Sequence, residues 1–227
     1  MLDKIKGKNM YKFKKAFTLA EVLITLLIIG VIASIVIPGV INDTKEAEFN
    51  VGVKKTYADL SNALKMVLIN NGNVLDFANE PALRDDFCNV MTCVAKGRGI
   101  DVVPGGDAFY RYKNKAVIEG DFNYSNNIVA KLNNGTLFLI LPVDSTCAVW
   151  GVNVCAKIQI DINGLKGPAM AGKDVYMFYI VRNNGAYSIL PAGTDNDTAF
   201  QNWACSISTN NGEACTARRL YNPDSMP

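Results

Sequence analysis

The chain contains no histidine among its 227 residues. That absence excludes a Ser-His-Asp or Cys-His nucleophile within the chain, and any His-ligated zinc centre. None of the six cysteines lies in a C-x-x-C pair, so zinc knuckles and thioredoxin chemistry have no footing either. Charge is sparse: 19% of residues are charged and 49% are hydrophobic, which rules out bulk disorder. Internal repeats and low-complexity tracts are absent. The length fits one domain or a small domain with an appendage, and it suffices to bury a core without covalent staples. Serine and lysine are both present, but no motif marks them as a dyad. No catalytic role is expected of the chain.

What is present is unevenly placed. Residues 1–16 hold Lys4, Lys6, Lys8, Lys12, Lys14 and Lys15 against one acid, Asp3, a net +5 that leaves the remainder at −3 within a total of +2. An apolar run follows at once, and no charged residue occurs from Val22 to Ile41. As a helix those residues span about 30 Å, the thickness of a bilayer core. Basic residues before such a run place the N-terminus inside the cell and the remainder outside. A removable secretory signal is the competing reading, but its apolar core would be shorter and would end in an Ala-x-Ala site. Glu21 interrupts the start of the stretch. A carboxylate at membrane depth is costly and needs a partner or a function, unless it merely snorkels at the headgroup boundary.

The stretch Lys14-Lys15-Ala16-Phe17-Thr18-Leu19-Ala20-Glu21-Val22-Leu23 resembles the N-terminal signal of type IV prepilins and type II secretion pseudopilins. The resemblance covers residues of about 12–60. It implies that a membrane-bound prepilin peptidase cuts between Ala16 and Phe17 and methylates the new Phe17 amine. It also implies that Glu21, then the fifth residue, is the assembly glutamate, and that Pro38 is the proline that kinks the helix. Ala16 departs from the glycine usual at the cut. A buried Phe17 amine and a buried Glu21 carboxylate are tolerable only when paired, so pairing between neighbouring subunits favours one axial register. The implied fold class is α+β, a long N-terminal membrane-spanning helix packed on an antiparallel sheet. Its expected parts are the leader 1–16, the membrane and assembly half of the helix 17–41, its amphipathic half 42–71, and an extracytoplasmic domain 72–227. The implied partners are prepilin peptidase, like or related pilin subunits, and inner-membrane assembly machinery. The implied location is single-pass in the bacterial cytoplasmic (inner) membrane, then in the filament. Nucleic acid is not an expected partner, since Arg218-Arg219 reads as a short surface pair, too small for a footprint. A membrane-anchored binding or adhesion module that never polymerises is the alternative.

Beyond the membrane the residues themselves give a fold. Val53, Tyr57, Leu60, Leu64, Val67 and Leu68 recur at helical spacing, opposite Lys54, Lys55, Asp59, Asn62 and Lys65. Asn71-Gly72 is a helix stop. Residues 72–113 read as irregular, with Pro81, Gly97, Gly99 and Pro104-Gly105-Gly106 breaking any period. Strands follow: 128–132 and 136–141 as a hairpin about Asn133-Asn134-Gly135, then 157–162, then 175–181 and 186–190 about Asn183-Asn184-Gly185.

The cysteines fall as Cys88/Cys93, Cys147/Cys155 and Cys205/Cys215, all on the side of the membrane where disulfides persist. Pairing in sequence order is the expected pattern, against other connectivities and against reduced, buried thiols. Asp161-x-Asn163-Gly164-x-Lys166-Gly167-Pro168, with Gly172-x-Asp174, resembles a loop of pseudopilin-like proteins, with Ala169 where that pattern has Asn. Asp161, Asn163 and Asp174 offer oxygen ligands for calcium, but Asn-Gly and Gly-Pro equally mark a plain turn. Asp195-Asn196-Asp197 has the same two readings. No cofactor is expected, calcium apart. Trp150 and Trp203 read as packing residues.

Overall fold

A computed structural model describes residues 17–103, 128–194, 196–198, 205, 212 and 214–223. The leader, Ala16, Pro104-Gly105-Gly106, Asp195 and Trp203 lie outside those residues. The chain divides into two units between Lys45 and Glu46. Helix α1 runs Leu19–Asn70 and contributes to both.

In the first unit, α1 is apolar on every side. Leu19, Leu23, Leu27, Ile29 and Ile35 are all more than half exposed. No part of this stretch has a core of its own to face. Pro38 lies inside α1, with helix on both sides of it.

In the second unit, six strands form one sheet in the order β1-β2-β3-β4-β5-β6, every neighbouring pair antiparallel. They are β1 Cys93–Arg98, β2 Ile128–Leu132, β3 Leu137–Pro142, β4 Val154–Asp161, β5 Val175–Asn183 and β6 Ala186–Pro191. Sequence order equals spatial order, so no crossover is needed, and the β2–β3 and β5–β6 connections are short turns. The β5–β6 turn is two residues, Asn184 and Gly185, with φ of 50° and 80°, the positive pair that matches strand twist.

Alternation decides which residues reach the helix. Phe138, Ile140, Ile158, Ile160 and Phe178 point to one face and form the main core with Val53, Leu60, Leu64 and Val67 of α1. Tyr57 stacks on Phe178 with ring centroids 6.1 Å apart. Each such side chain stabilises by about 1.5–3 kcal/mol on burial. Lys54, Lys55, Asp59, Asn62 and Lys65 stay exposed on the other side of α1. The second face of the sheet is apolar too: Val129, Leu137, Leu139 and Val175 form one cluster, and Met177, Tyr179 and Val181 another. Trp150 packs on that face, its ring 5.6 Å from Tyr179.

Two expectations are corrected. Residues 72–113 are not irregular where described: α2 spans Glu80–Met91, β1 follows, and α3 spans Gly99–Val102. The Asn79 side chain caps α2 by accepting from the Ala82 N–H at 3.1 Å, and Pro81 sits in the first turn, where its missing N–H costs nothing. Leu83 and Phe87, four apart, then bury one face. The second correction concerns Arg218-Arg219. Both lie on α4, Cys215–Tyr221, but Arg219 is buried and only Arg218 is partly exposed. Arg219 is drawn in because Glu46, Asn50 and the Gly172 carbonyl supply acceptors for its guanidinium.

Three disulfides tie the second unit, Cys88–Cys93, Cys147–Cys155 and Cys205–Cys215. The first joins the last turn of α2 to the first residue of β1 across Thr92, whose φ of 61° ends the helix.

Candidate functional site at the start of the N-terminal helix

Four backbone N–H groups at a helix start have no partner inside the helix. At α1 the sequence supplies them locally. Thr18 precedes the first helical residue, and its Oγ1 accepts from the Glu21 N–H at 3.2 Å. Glu21 reaches back, and its Oε2 accepts from the Thr18 N–H at 2.8 Å and from the Thr18 hydroxyl at 2.9 Å. This reciprocal arrangement is a capping box. Both of the carboxylate's hydrogen bonds to Thr18 fall on Oε2. Phe17 stands just before the cap, 86% exposed. Glu21 is thus held in a fixed orientation, three residues from the cap and four from Phe17. Thr18 is the capping residue that the composition and charge pattern passed over. The Ser/Thr-x-x-Glu spacing of Thr18 and Glu21 was the signal that marks it.

The surroundings are those of a membrane segment. α1 is long and apolar enough to cross a bilayer by length and composition, and its apolar window is not buried anywhere in the fold. An exposed apolar surface of this extent has to be covered by lipid or by other helices.

The second candidate lies in the loop between β4 and β5. The structure brings Asp161, Asn163 and Asp174 together there, but each acidic side chain is already engaged. Asp161 Oδ1 accepts from the N–H groups of Asn163 and Gly164 at 3.2 and 2.8 Å. Asp174 accepts from Ala169 N–H at 2.8 Å and Met170 N–H at 2.7 Å, one bond on each oxygen. The Asn163 amide donates to the Gly167 carbonyl at 2.8 Å. Burial pushes the Asp174 carboxyl above the usual aspartate range, against the pull of the Met170 and Ala169 N–H bonds. Among the described residues no group of three or more His, Cys, Asp or Glu side chains is placed to share a metal ion. Asp197, from the other acidic run, accepts from the Gly193 N–H at 3.0 Å in the same way. In these loops the carboxylates satisfy backbone N–H groups.

Residues 11–37 match the family described as the prokaryotic N-terminal methylation motif. No curated protein and no solved structure matches the chain. The matched residues contain Phe17, Thr18, Glu21 and the apolar start of α1, so the motif covers the capped, membrane-apolar end whose geometry is given above. Near its N-terminus the chain carries the type IV prepilin and pseudopilin signature.

Proposed function

We propose that the chain is a structural subunit of a type II secretion pseudopilus or a type IV pilus-like filament. The observation that carries this reading is the methylation motif over residues 11–37, whose part from Leu19 onward lies on a helix with an apolar window that is not buried among the described residues. Prepilin peptidase removes residues 1–16 by cutting between Ala16 and Phe17, and methylates the Phe17 amine. The subunit then waits in the cytoplasmic membrane as a single-pass protein, with its sheet domain on the extracytoplasmic side, the oxidising side where its disulfides persist. Assembly machinery extracts it, and 17–41 packs against the same segment of like or related subunits.

In this mechanism the cap has two consequences. Glu21 is oriented before any neighbour arrives, and its bonds to Thr18 use Oε2 alone. The methylated Phe17 amine of a neighbouring subunit supplies the opposite charge. Two charges buried in apolar surroundings are tolerable when paired, and breaking one is strongly destabilising, so the pair selects one register between subunits. Pro38 removes one helical N–H and is the point at which α1 can bend in the filament.

The test is Glu21→Ala in cells that express the assembly machinery. The variant is expected to enter the membrane at the normal level and to form no filaments. Filaments in normal number from Glu21→Ala would contradict the proposal.

A further inference from the structure

The second unit holds α1 against the sheet chiefly through an apolar stripe. Apolar contact is non-directional, so a stripe by itself does little to forbid a slide along the helix axis. A slide by one turn moves the helix by about 5.4 Å and returns a similar face to the sheet. Something directional has to fix the axial position.

Arg219 has the right placement. Its helix, α4, is fastened to the sheet independently of α1. The Met177 N–H of β5 donates to Thr216 Oγ1 at 2.9 Å, the Ala217 N–H donates to the Ala192 carbonyl at 2.9 Å, and Cys215 is bonded to Cys205. From this fixed base the Arg219 guanidinium reaches α1. One nitrogen donates to Glu46 Oε2 at 2.5 Å and to Asn50 Oδ1 at 2.8 Å, and the other donates to the Gly172 carbonyl at 3.2 Å. The Arg219 side chain is 3% exposed, whereas that of Glu46 is 44% exposed. A cation so buried depends on its partners, and Glu46 and Asn50 stand one helical turn apart on a single edge of α1.

Slipping the helix is penalised in either direction. A shift that brings Asn50 and the next turn to Arg219 presents Lys54, a second cation. A shift the other way replaces Gly52 by Glu48 at the point where α1 meets Ile162. A Cβ added at Gly52 would lie 2.6 Å from Ile162 Cδ1, so any larger residue there requires the end of the Ile162 side chain to move.

We propose that the Arg219 guanidinium, closed on Glu46 and Asn50, is a register pin that fixes the axial position of α1 on the sheet, with Gly52 as its steric counterpart. The pin operates within residues 46–227 and holds whether or not the chain assembles, so it stands or falls separately from the filament reading.

The test uses the full chain in detergent micelles, with hydrogen exchange followed by mass spectrometry. Arg219→Met keeps an unbranched, flexible stem, shorter than that of arginine, and removes the fork. Amides of 46–57 are expected to exchange about tenfold faster, while those of β3, β4 and β5 keep their protection. A second readout is specific to register. Spin labels are attached through unnatural side chains at exposed Asn62 of α1 and exposed Ser188 of β6, so that the cysteines stay paired. Arg219→Met is expected to broaden or shift the label distance by up to about 5 Å, one helical turn. Unchanged exchange over 46–57, equal loosening of the sheet, or one unshifted label distance overturns the proposal. If Arg219→Met does not fold, Asn50→Ala removes one acceptor only, and it is read against the same outcomes.

Discussion

Thr18 and Glu21 satisfy each other at the start of α1, so the residue that the assembly reading needs is also a local structural residue. The two roles separate by substitution. Thr18→Val removes the hydroxyl that accepts from the Glu21 N–H and is expected to cost about 1 kcal/mol of helix-start stability. Faster exchange at the Glu21 amide in Thr18→Val, with normal exchange in Thr18→Ser, is the expected result. Equal rates in the two variants would show that the cap contributes nothing. Asp144 gives a residue-scale pH dependence. The Thr146 hydroxyl, then the Ala148 and Thr146 N–H groups, hold its carboxyl below the usual aspartate range. A depressed carboxyl stabilises fully above the ordinary value of 3.8 and loses that contribution as pH falls below it. Asp174 has the opposite sign, because burial raises it and its cost grows as pH rises above the ordinary value. Urea unfolding of Asp144→Asn is therefore expected to show the gap to the parent protein closing as pH drops below about 4. A gap independent of pH would contradict the assignment.

At the scale of elements, legibility followed periodicity. The helix stripe from Val53 to Leu68 and both hairpins were readable because one face alternates or recurs against a single core. The region after Asn71 was not, because α2 is only three turns long and carries Pro81, which reads as a breaker until Asn79 is recognised as its cap. Arg219 was misread for a different reason. Its acceptors lie at Glu46, Asn50 and Gly172, far away in sequence, and no local pattern reports them. The loop of Asp161, Asn163 and Asp174 was recognised as a unit, whereas the bonds its oxygens make depend on the three-dimensional path of the backbone. Two glycines test how tightly the turns are built. Gly164 has φ of +61°, and a Cβ there would lie 2.1 Å from the Gly135 carbonyl oxygen. Gly185 has φ of +80° with open space around it. Gly164→Ala is expected to lose about 3 kcal/mol or more and Gly185→Ala about 1 kcal/mol, measured by denaturant unfolding. Equal losses would mean that backbone strain alone, without the close approach to Gly135, decides the cost.

For the whole molecule, the absence of histidine and the near-zero net charge resolve into separate facts. Residues 1–16, whose last six lie within the methylation motif, carry a net +5, and the remainder of the chain is mildly acidic. The sheet domain buries its own apolar faces, while the first half of α1 buries none of its own. The second unit thus has a core of its own, whereas the apolar stretch of α1 in the first unit is left exposed among the described residues. The central claim is that the chain is a prepilin, converted by one cut and one methylation into the assembling form. Intact-mass analysis of the membrane-extracted protein from cells containing prepilin peptidase tests it directly. The account predicts a mass lacking residues 1–16, beginning at Phe17 and carrying one added methyl group. A mature protein that retains Met1 and the six leader lysines would contradict it.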